Sequence, residues 1–290
     1  MSDTARTTAT VVVSLVLMAG ISLLTGSRSV ELFGVSAVAL CAGAALGVQW
    51  LCWVPASLKE TERFYDLTGG LTYLSVVGFS LWAGSREEAP SPREWILSGM
   101  VVVWAVRLAS FLFLRIHRTG KDGRFDDLKT SAVRFLIPWT LQGLWVFLTL
   151  VVVIVVNCQA GTPPALGALD CAGIVLWVLG FGIEVTADRQ KSAFAADPAN
   201  KGKWIDEGLW SRSRHPNYFG EIMLWSGIAL CGASCFSGGE WAALISPAFV
   251  AFLLAKVSGV PLLDERAMSR WVDNPDYLAY RARTNRFLPL

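Results

Sequence analysis

Apolar residues recur in long runs along most of this chain, and charged residues are concentrated in the stretches between them. A run of about 17 to 25 apolar residues is long enough to cross a bilayer as an α-helix. The pattern predicts about eight such spans, within a range of about seven to nine. They cover residues 9–25, 31–54, 67–84, 95–114, 133–156, 166–184, 218–236 and 241–258. We therefore expect an all-α fold, a polytopic integral membrane helix bundle, in which Pro261 bends or breaks the last span.

The composition supports a membrane protein and excludes a soluble globular domain. Apolar residues make up 53% of the chain, charged residues 17%, and the mean hydropathy is +0.48. The net charge of +2 is misleading, because the cations cluster in residues 115–129, 189–214 and 266–286. With eight spans these three segments lie on one side, so the positive-inside rule predicts cytoplasmic termini. The membrane would be the bacterial inner membrane, or the endoplasmic reticulum in a eukaryote. The basic face would bind either a cofactor phosphate or the anionic leaflet.

The residue inventory excludes several kinds of chemistry. The six cysteines form no C-x-x-C pair, and the only histidines are His117 and His215. Membrane di-iron enzymes need clustered histidines, so we expect no metal cofactor. The chain also has no Walker loop and no G-x-S-x-G elbow. We expect membrane lipids, and no nucleic acid, as its partners.

The most informative polar segment is the turn at residues 211–221, whose sequence is SRSRHPNYFGE. Arg212, Arg214 and His215 are expected at the membrane surface. Asn217 and Glu221 are four residues apart and share one face of the helix that follows. An ionisable group at membrane depth is costly and usually lines a cavity, so Glu221 is a functional candidate.

A second polar segment lies at the end of the sixth predicted span. Helical spacing places Glu184, Asp188 and Lys191 on one stripe, where they either bind a polar ligand or form a salt-bridged helix end. Glu184 and Glu221 flank the same basic loop, so we expect their two helices to face each other across a polar pocket.

Three further groups of residues are candidates. Arg107 lies two turns inside the end of the fourth span and is expected to pair with a carboxylate or an anionic ligand. Asp66 and Tyr65 begin the third span, and Tyr65 is either a proton donor or an interfacial anchor. Glu265 and Arg266 open an arginine- and tyrosine-containing tail that either covers a pocket or lies on lipid.

Three segments together carry a resemblance to a known family. The stripe from Glu184 to Lys191, the turn from Ser211 to Glu221 with Tyr218 in its core, and the ending from Asp264 to Leu290 resemble the C-terminal half of the steroid 5α-reductase family. The chain is most similar to that family's bacterial-type branch of predicted membrane reductases. The similarity is strong over residues 95–290, and it implies weakly matched N-terminal helices at 1–60 followed by a reductase-like domain at 61–290.

The resemblance implies an oxidoreductase acting on CH–CH groups. NADPH would occupy a cytoplasm-facing cavity, and hydride would pass to an activated carbon–carbon double bond of a steroid, isoprenoid or other hydrophobic lipid that enters from the bilayer. Asp188, Asn217 and Glu221 would contact the cofactor, with Glu184 in the place of an asparagine. Arg212 and Arg214 are phosphate partners on grounds of charge.

The chain departs from the family at the substrate-activating residues. The family uses a Gln-Glu pair and a tyrosine near the position of Arg107, whereas this chain has no Gln-Glu dipeptide and has Trp104 at the latter position. Tyr65, Asp66 or Arg107 are therefore our candidates for substrate activation.

Two other classes of function stay open from the sequence. The segment Arg214-His215-Pro216-Asn217-Tyr218 also matches the Arg-His-Pro-x-Tyr turn of membrane methyltransferases that modify isoprenylated cysteine with S-adenosylmethionine. The third class is a non-enzymatic lipid-binding or transport protein. Clustering of polar residues on one side argues against a transport pathway, because transporters bind their substrates near the bilayer midplane.

Overall fold

The computed structural model describes residues 2–119, 122–257 and 259–288, so residues 120 and 121 of the basic loop and residue 258 lie outside the described part. Within it, ten α-helices follow one another along the chain. They are α1 (Asp3–Thr25), α2 (Ala37–Leu58), α3 (Tyr65–Gly84), α4 (Pro92–Thr119), α5 (Ala132–Cys158), α6 (Ala168–Ala196), α7 (Pro216–Gly232), α8 (Ile245–Phe252), α9 (Val260–Trp271) and α10 (Pro275–Arg283). The predicted all-α fold is confirmed.

In the described part of the chain, six helical segments are long and apolar enough to cross a membrane, as expected of an integral membrane protein. They are Asp3–Thr25, Ala37–Leu58, Pro92–Leu114, Ala132–Cys158, Ala168–Ala196 and Gly238–Trp271. The number is smaller than the eight spans predicted, although α3 and α7 form at the two remaining positions. Helix α7 has 17 residues, which rise about 25 Å and fall short of the ~30 Å hydrocarbon core.

The predicted span at residues 31–54 begins later than expected. Its first residues form a small antiparallel hairpin of β1 (Glu31–Leu32) and β2 (Val35–Ser36). The turn between the strands has positive φ angles of 57° at Phe33 and 75° at Gly34, the combination that closes two-residue hairpins. A helix cannot pass through two such residues, so α2 begins only at Ala37.

The last predicted span is interrupted before Pro261 and not at it. Helix α8 ends at Phe252 and is followed by a π-helical turn at Leu253–Val257, whereas Pro261 lies in the first turn of α9. Proline is tolerated there because its missing N–H is not needed for an intrahelical hydrogen bond.

The chain divides into two compact units. Unit 1 comprises Met1–Leu169 with Cys231–Ser246, and unit 2 comprises Asp170–Leu230 with Pro247–Leu290.

Helix α5 is the centre of unit 1. Every residue from Val146 to Cys158 is buried, and α1, α2 and α3 pack against this helix. A helix that is apolar all round is typical of the core of a bundle.

Buried hydrogen bonds fix the neighbours of α5 in register. The Asn157 amide donates to Ser80 Oγ at 2.9 Å and to Ser98 Oγ at 3.0 Å. The hydroxyl groups of Tyr73 and Thr149 are 2.5 Å apart. Lipid tails are as apolar as leucine, so such polar contacts give membrane helices a specific packing that apolar side chains alone do not provide.

One end of unit 1 contains a network of buried charges. Glu240, which is 1% exposed, binds the Arg28 guanidinium and accepts from Gln159 Nε2 at 3.1 Å. Arg93 is also 1% exposed and donates to the carbonyl oxygens of Pro164 at 2.5 Å and Ala165 at 3.1 Å. These pairings offset the cost of burying the charged groups.

Unit 2 contains a close crossing of α6 and α7. A Cβ atom added to Gly220 would lie 2.5 Å from the Gly180 carbonyl oxygen and 2.7 Å from the Glu184 nitrogen. A Cβ atom on Gly227 would lie 2.6 Å from the Gly173 carbonyl oxygen. Small residues at these positions let the two backbones touch, as in other membrane helix pairs.

We predict that Gly220→Ala destabilises the protein by about 1–3 kcal/mol, the usual range for overpacking a tight contact. Gly182→Ala is the matched control in α6, because nothing lies within 4 Å of an added Cβ there. Thermal melting in detergent should show a lower melting temperature for Gly220→Ala only. Equal melting of both variants would contradict the close crossing.

Candidate functional site

Helix α6 presents the predicted polar stripe in unit 2. Glu184 is 3% exposed and Asp188 is 8% exposed. One turn further along, the Lys191 ammonium lies 4.8 Å from the centre of the Trp210 ring, a cation–π distance. Trp210 is held in turn by its indole N–H, which donates to the Ala187 carbonyl oxygen at 3.0 Å.

The first turn of α7 contacts this stripe directly. Asn217 Nδ2 donates to Asp188 Oδ1 at 3.2 Å. Because Gly220 lies against the Glu184 backbone, Asn217 and Glu221 begin a helix that touches α6. The two helices face each other as expected, but at Gly220 their backbones are in direct contact, so the expected polar pocket does not separate them there.

The tail of the chain is joined to the turn before α7. Arg214 N donates to the Asn285 carbonyl oxygen at 2.9 Å, and Ser213 Oγ donates to the Phe287 carbonyl oxygen at 2.7 Å. Tyr280 OH donates to the Trp210 carbonyl oxygen at 2.8 Å. The segments predicted separately from the sequence, the turn and the tail, therefore form one structure.

Asp264 of α9 lies among several cationic side chains, which we call the Asp264 cluster. Its carboxylate oxygens are 3.4 Å from Arg281 Nη2, 3.6 Å from Arg214 Nη1 and 3.7 Å from Arg286 Nη2. His215 Nε2 lies at 3.8 Å. Three guanidinium groups thus share one carboxylate, which leaves the cluster with an excess of positive charge.

His215 is the most buried member of the cluster and is neutral at pH 7. Its ring is 6% exposed and stacks on Tyr218 with the ring centres 5.5 Å apart. Burial lowers the pKa of His215 to about 4, and the Asp264 carboxylate opposes this shift only in part. Lys191 and Arg214 lower the pKa further by charge repulsion.

Several donors of the cluster are buried without a hydrogen-bond partner in the described residues. They are Nε and Nη1 of Arg214, Nη1 of Arg281, and the two ring nitrogens of His215, of which a neutral ring protonates one. Buried polar groups are normally satisfied, so this arrangement is suited to an anionic ligand. Phosphate or carboxylate oxygens are the groups that arginine binds best.

Other predicted cofactor residues lie outside the cluster. Arg212, Glu265 and Arg266 are exposed, and no side-chain contact joins them to Asp264. Sequence reasoning named the tail but not Asp264, Arg281 or Arg286 as site residues. The excess of arginine in the tail was the available signal, but sequence alone did not show which arginines turn inward.

The three predicted catalytic residues belong to unit 1. Tyr65 OH donates to the Pro138 carbonyl oxygen at 2.9 Å, and its ring lies 5.1 Å from that of Trp139. Asp66 lines a small cleft, whereas the Arg107 guanidinium lies 5.4 Å from the centre of the Phe111 ring. The Tyr65 hydroxyl is thus held by a backbone carbonyl of the same unit.

Comparison with known proteins gives one family and one relative. The family described as "Protein of unknown function (DUF1295)" matches residues 52–284. "Probable O-methyltransferase ustE" of Ustilaginoidea virens is 32% identical over 82 residues, which cover 28% of this chain and 29% of that protein. The matched segment is thus less than a third of the relative. No solved structure matches the chain.

We predict that the neutral state of His215 makes the protein less stable in acid. The unfolded chain binds a proton near pH 6.5 and the folded chain only near pH 4. Stability is therefore lost as the pH falls through this window, by about 2 kcal/mol between pH 7 and pH 5. Melting temperatures at the two pH values should differ less in His215→Gln than in the wild type.

His117→Gln is the control, since it changes the other histidine of the chain. It should keep the wild-type difference between pH 7 and pH 5. An unchanged pH dependence in His215→Gln would contradict the assignment.

Proposed function

Because the chain belongs to the family described as "Protein of unknown function (DUF1295)", which matches residues 52–284, we propose a function that its described residues support. The protein is a membrane oxidoreductase that uses NADPH to reduce an activated carbon–carbon double bond of a hydrophobic lipid. The observation that carries this proposal is the excess of positive charge around Asp264. We propose that unit 2 binds the cofactor.

The charge of the Asp264 cluster favours NADPH over other cofactors. NADPH carries a diphosphate and a 2′-phosphate, so it is strongly anionic. Arg214, Arg281 and Arg286 outnumber their shared carboxylate, and Arg214 and Arg281 have buried donor atoms without a hydrogen-bond partner among the described residues. Guanidinium groups bind phosphate oxygens with paired hydrogen bonds, which makes arginine the preferred residue for this task.

The acidic stripe of α6 complements the basic cluster. Carboxylates such as Glu184 and Asp188 accept hydrogen bonds from ribose hydroxyl groups, and Asn217 both donates and accepts. The hydrogen bond from Asn217 to Asp188 at 3.2 Å holds the two helices in register. Unit 2 therefore offers one surface for the phosphates and one for the neutral hydroxyl groups of a dinucleotide.

The bound cofactor supplies the hydride, and the residues of the chain bind and orient the reactants. His215, neutral at pH 7, adds no charge near the arginines and can donate one N–H. Of the predicted catalytic residues, Arg107 is the one whose positive charge suits an enolate oxygen that develops as a double bond is reduced, whereas an ionised Asp66 would repel it. We propose a cytoplasmic location for the cofactor site, because residues 189–214 and 266–286 carry many of the cations of the chain.

An S-adenosylmethionine-dependent methyltransferase is the second candidate. It is favoured by the similarity to "Probable O-methyltransferase ustE" and by the segment from Arg214 to Tyr218. The acidic stripe would suit the ammonium group of this cofactor. We place it second because S-adenosylmethionine is a net cation, and the Asp264 cluster would repel it.

We predict that NADPH raises the melting temperature of the detergent-purified protein by about 5 °C at 100 times its dissociation constant. Arg214→Gln and Asp188→Asn should reduce this shift, because each removes a proposed cofactor contact. Arg189→Gln is the matched control in α6, since Arg189 is exposed, and it should keep the full shift.

The same assay separates the alternatives. A smaller shift with NADH than with NADPH would support recognition of the 2′-phosphate. A shift with S-adenosylmethionine and none with NADPH would replace the reductase by the methyltransferase. No shift with any of the three would contradict both enzyme proposals and favour a lipid-binding protein.

A further inference from the structure

Unit 1 contains a cleft of its own, lined in part by Asp66, one of the predicted catalytic residues. It lies between α3, α4 and α5, and its volume is about 30 Å³. Its polar and aromatic lining residues are Asp66, Tyr73, Trp104, Gln142 and Trp145. A water molecule needs roughly 10–15 Å³ measured in this way. The cleft can therefore receive a single small polar group, but not a ring.

Gln142 is the unusual member of this lining. Its side chain is in the bundle interior at 5% exposure, and its amide oxygen has no hydrogen-bond partner among the described residues. A Cβ atom on Gly69 would lie 2.6 Å from Gln142 Nε2, so the amide lies directly on the glycine backbone. An unsatisfied buried polar atom is costly, and nothing in the packing of α5 requires an amide at this position.

The chemistry of the lining indicates the kind of group that would bind. The terminal amide of glutamine can turn by 180° and present either its oxygen or its nitrogen. A hydroxyl group both donates and accepts, so it pairs with the amide in either orientation. A carbonyl group fits less well, because it only accepts and the unsatisfied amide oxygen of Gln142 needs a donor.

The walls of the cleft suit a hydrocarbon chain attached to that hydroxyl group. The Tyr73 ring lies 5.1 Å from the Trp104 ring and 5.7 Å from the Trp145 ring. The Tyr73 hydroxyl is already bound to Thr149, so this ring offers mainly apolar contact. Helix α4 is long and apolar enough to cross the membrane, and its lining residues Leu108, Ala109 and Leu112 are partly exposed.

We propose that this cleft binds the hydroxyl group of a long-chain lipid alcohol and that Gln142 is the residue that recognises it. A hydroxyl group in the hydrocarbon core has no water to bond with, so a buried amide gives it a partner. The proposal concerns unit 1 alone and does not depend on which cofactor unit 2 binds.

The test uses photoactivatable hexadecan-1-ol carrying a diazirine on its chain, with protein in lipid nanodiscs and no cofactor. Unlabelled hexadecan-1-ol, hexadecanal and hexadecyl methyl ether compete for labelling, and mass spectrometry locates the labelled peptides. We expect labelling on α3, α4 or α5. The alcohol should compete about tenfold better than the ether, as expected for one hydrogen bond.

Two variants identify the recognising residue. Gln142→Leu removes the amide, and Gly69→Ala displaces it; both should reduce the preference for the alcohol over the ether to about unity while hydrocarbon binding remains. Gln49→Leu is the matched control, because Gln49 is also fully buried but does not line the cleft, and its Nε2 donates to Thr72 at 2.9 Å. It should keep the preference.

Three results would overturn the proposal: equal competition by alcohol and ether in the wild type, better competition by the aldehyde, or an unchanged preference in folded Gln142→Leu. Melting temperatures establish whether each variant is folded. If Gln142→Leu does not fold, Gly69→Ala decides the question alone. Because no cofactor is present, failure here leaves the reductase proposal to its own melting assay.

Discussion

The burial of α5 among apolar neighbours is the constraint on which unit 1 depends. A helix buried from Val146 to Cys158 has no polar face to set its orientation, and in a bilayer its neighbours gain little from apolar contact alone. The position of each neighbour is therefore set by the few polar side chains on α5. Asn157 bonds to Ser80 and Ser98, and Thr149 bonds to Tyr73. These bonds are strong in a medium without water, because a broken bond leaves an unsatisfied group.

In unit 2, the polar residues of the candidate site lie at one end of a close helix pair. The contact between Gly180 and Gly220 brings the backbones of α6 and α7 together, and Asn217 then reaches Asp188. The tail adds Asp264, which partly neutralises Arg214, Arg281 and Arg286. One carboxylate cannot satisfy three guanidinium groups. The remaining positive charge makes this end of unit 2 suitable for an anionic ligand. His215 is neutral there mainly because burial lowers its pKa, and the positive charge of Lys191 and Arg214 adds to that effect.

The two units thus hold different kinds of polar site. The Asp264 cluster is charged and combines groups from the turn before α7, from α9 and α10, and from the segment after α10. The cleft in unit 1 is small and depends on one uncharged amide. A charged ligand needs several paired charges, whereas a lipid hydroxyl group in hydrocarbon needs only one good hydrogen-bond partner.

The sequence by itself determined the class of the protein, because long apolar runs permit only membrane helices, and most predicted spans became helices close to the expected residues. It also placed Glu184 with Asp188, and Asn217 with Glu221, on shared helix faces, since helical spacing is a local property. It missed the hairpin at Phe33–Gly34, which depends on two positive φ angles. It also predicted eight spans, whereas six helical segments in the described part of the chain are long and apolar enough to cross a membrane. Only the tertiary structure decided that Asp264, Arg281 and Arg286 meet Arg214, and that Gln142 lies unsatisfied beside Gly69. Those contacts join residues far apart in the chain. Packing, and not the local sequence pattern, sets which side of a charged tail or of an apolar helix faces inward.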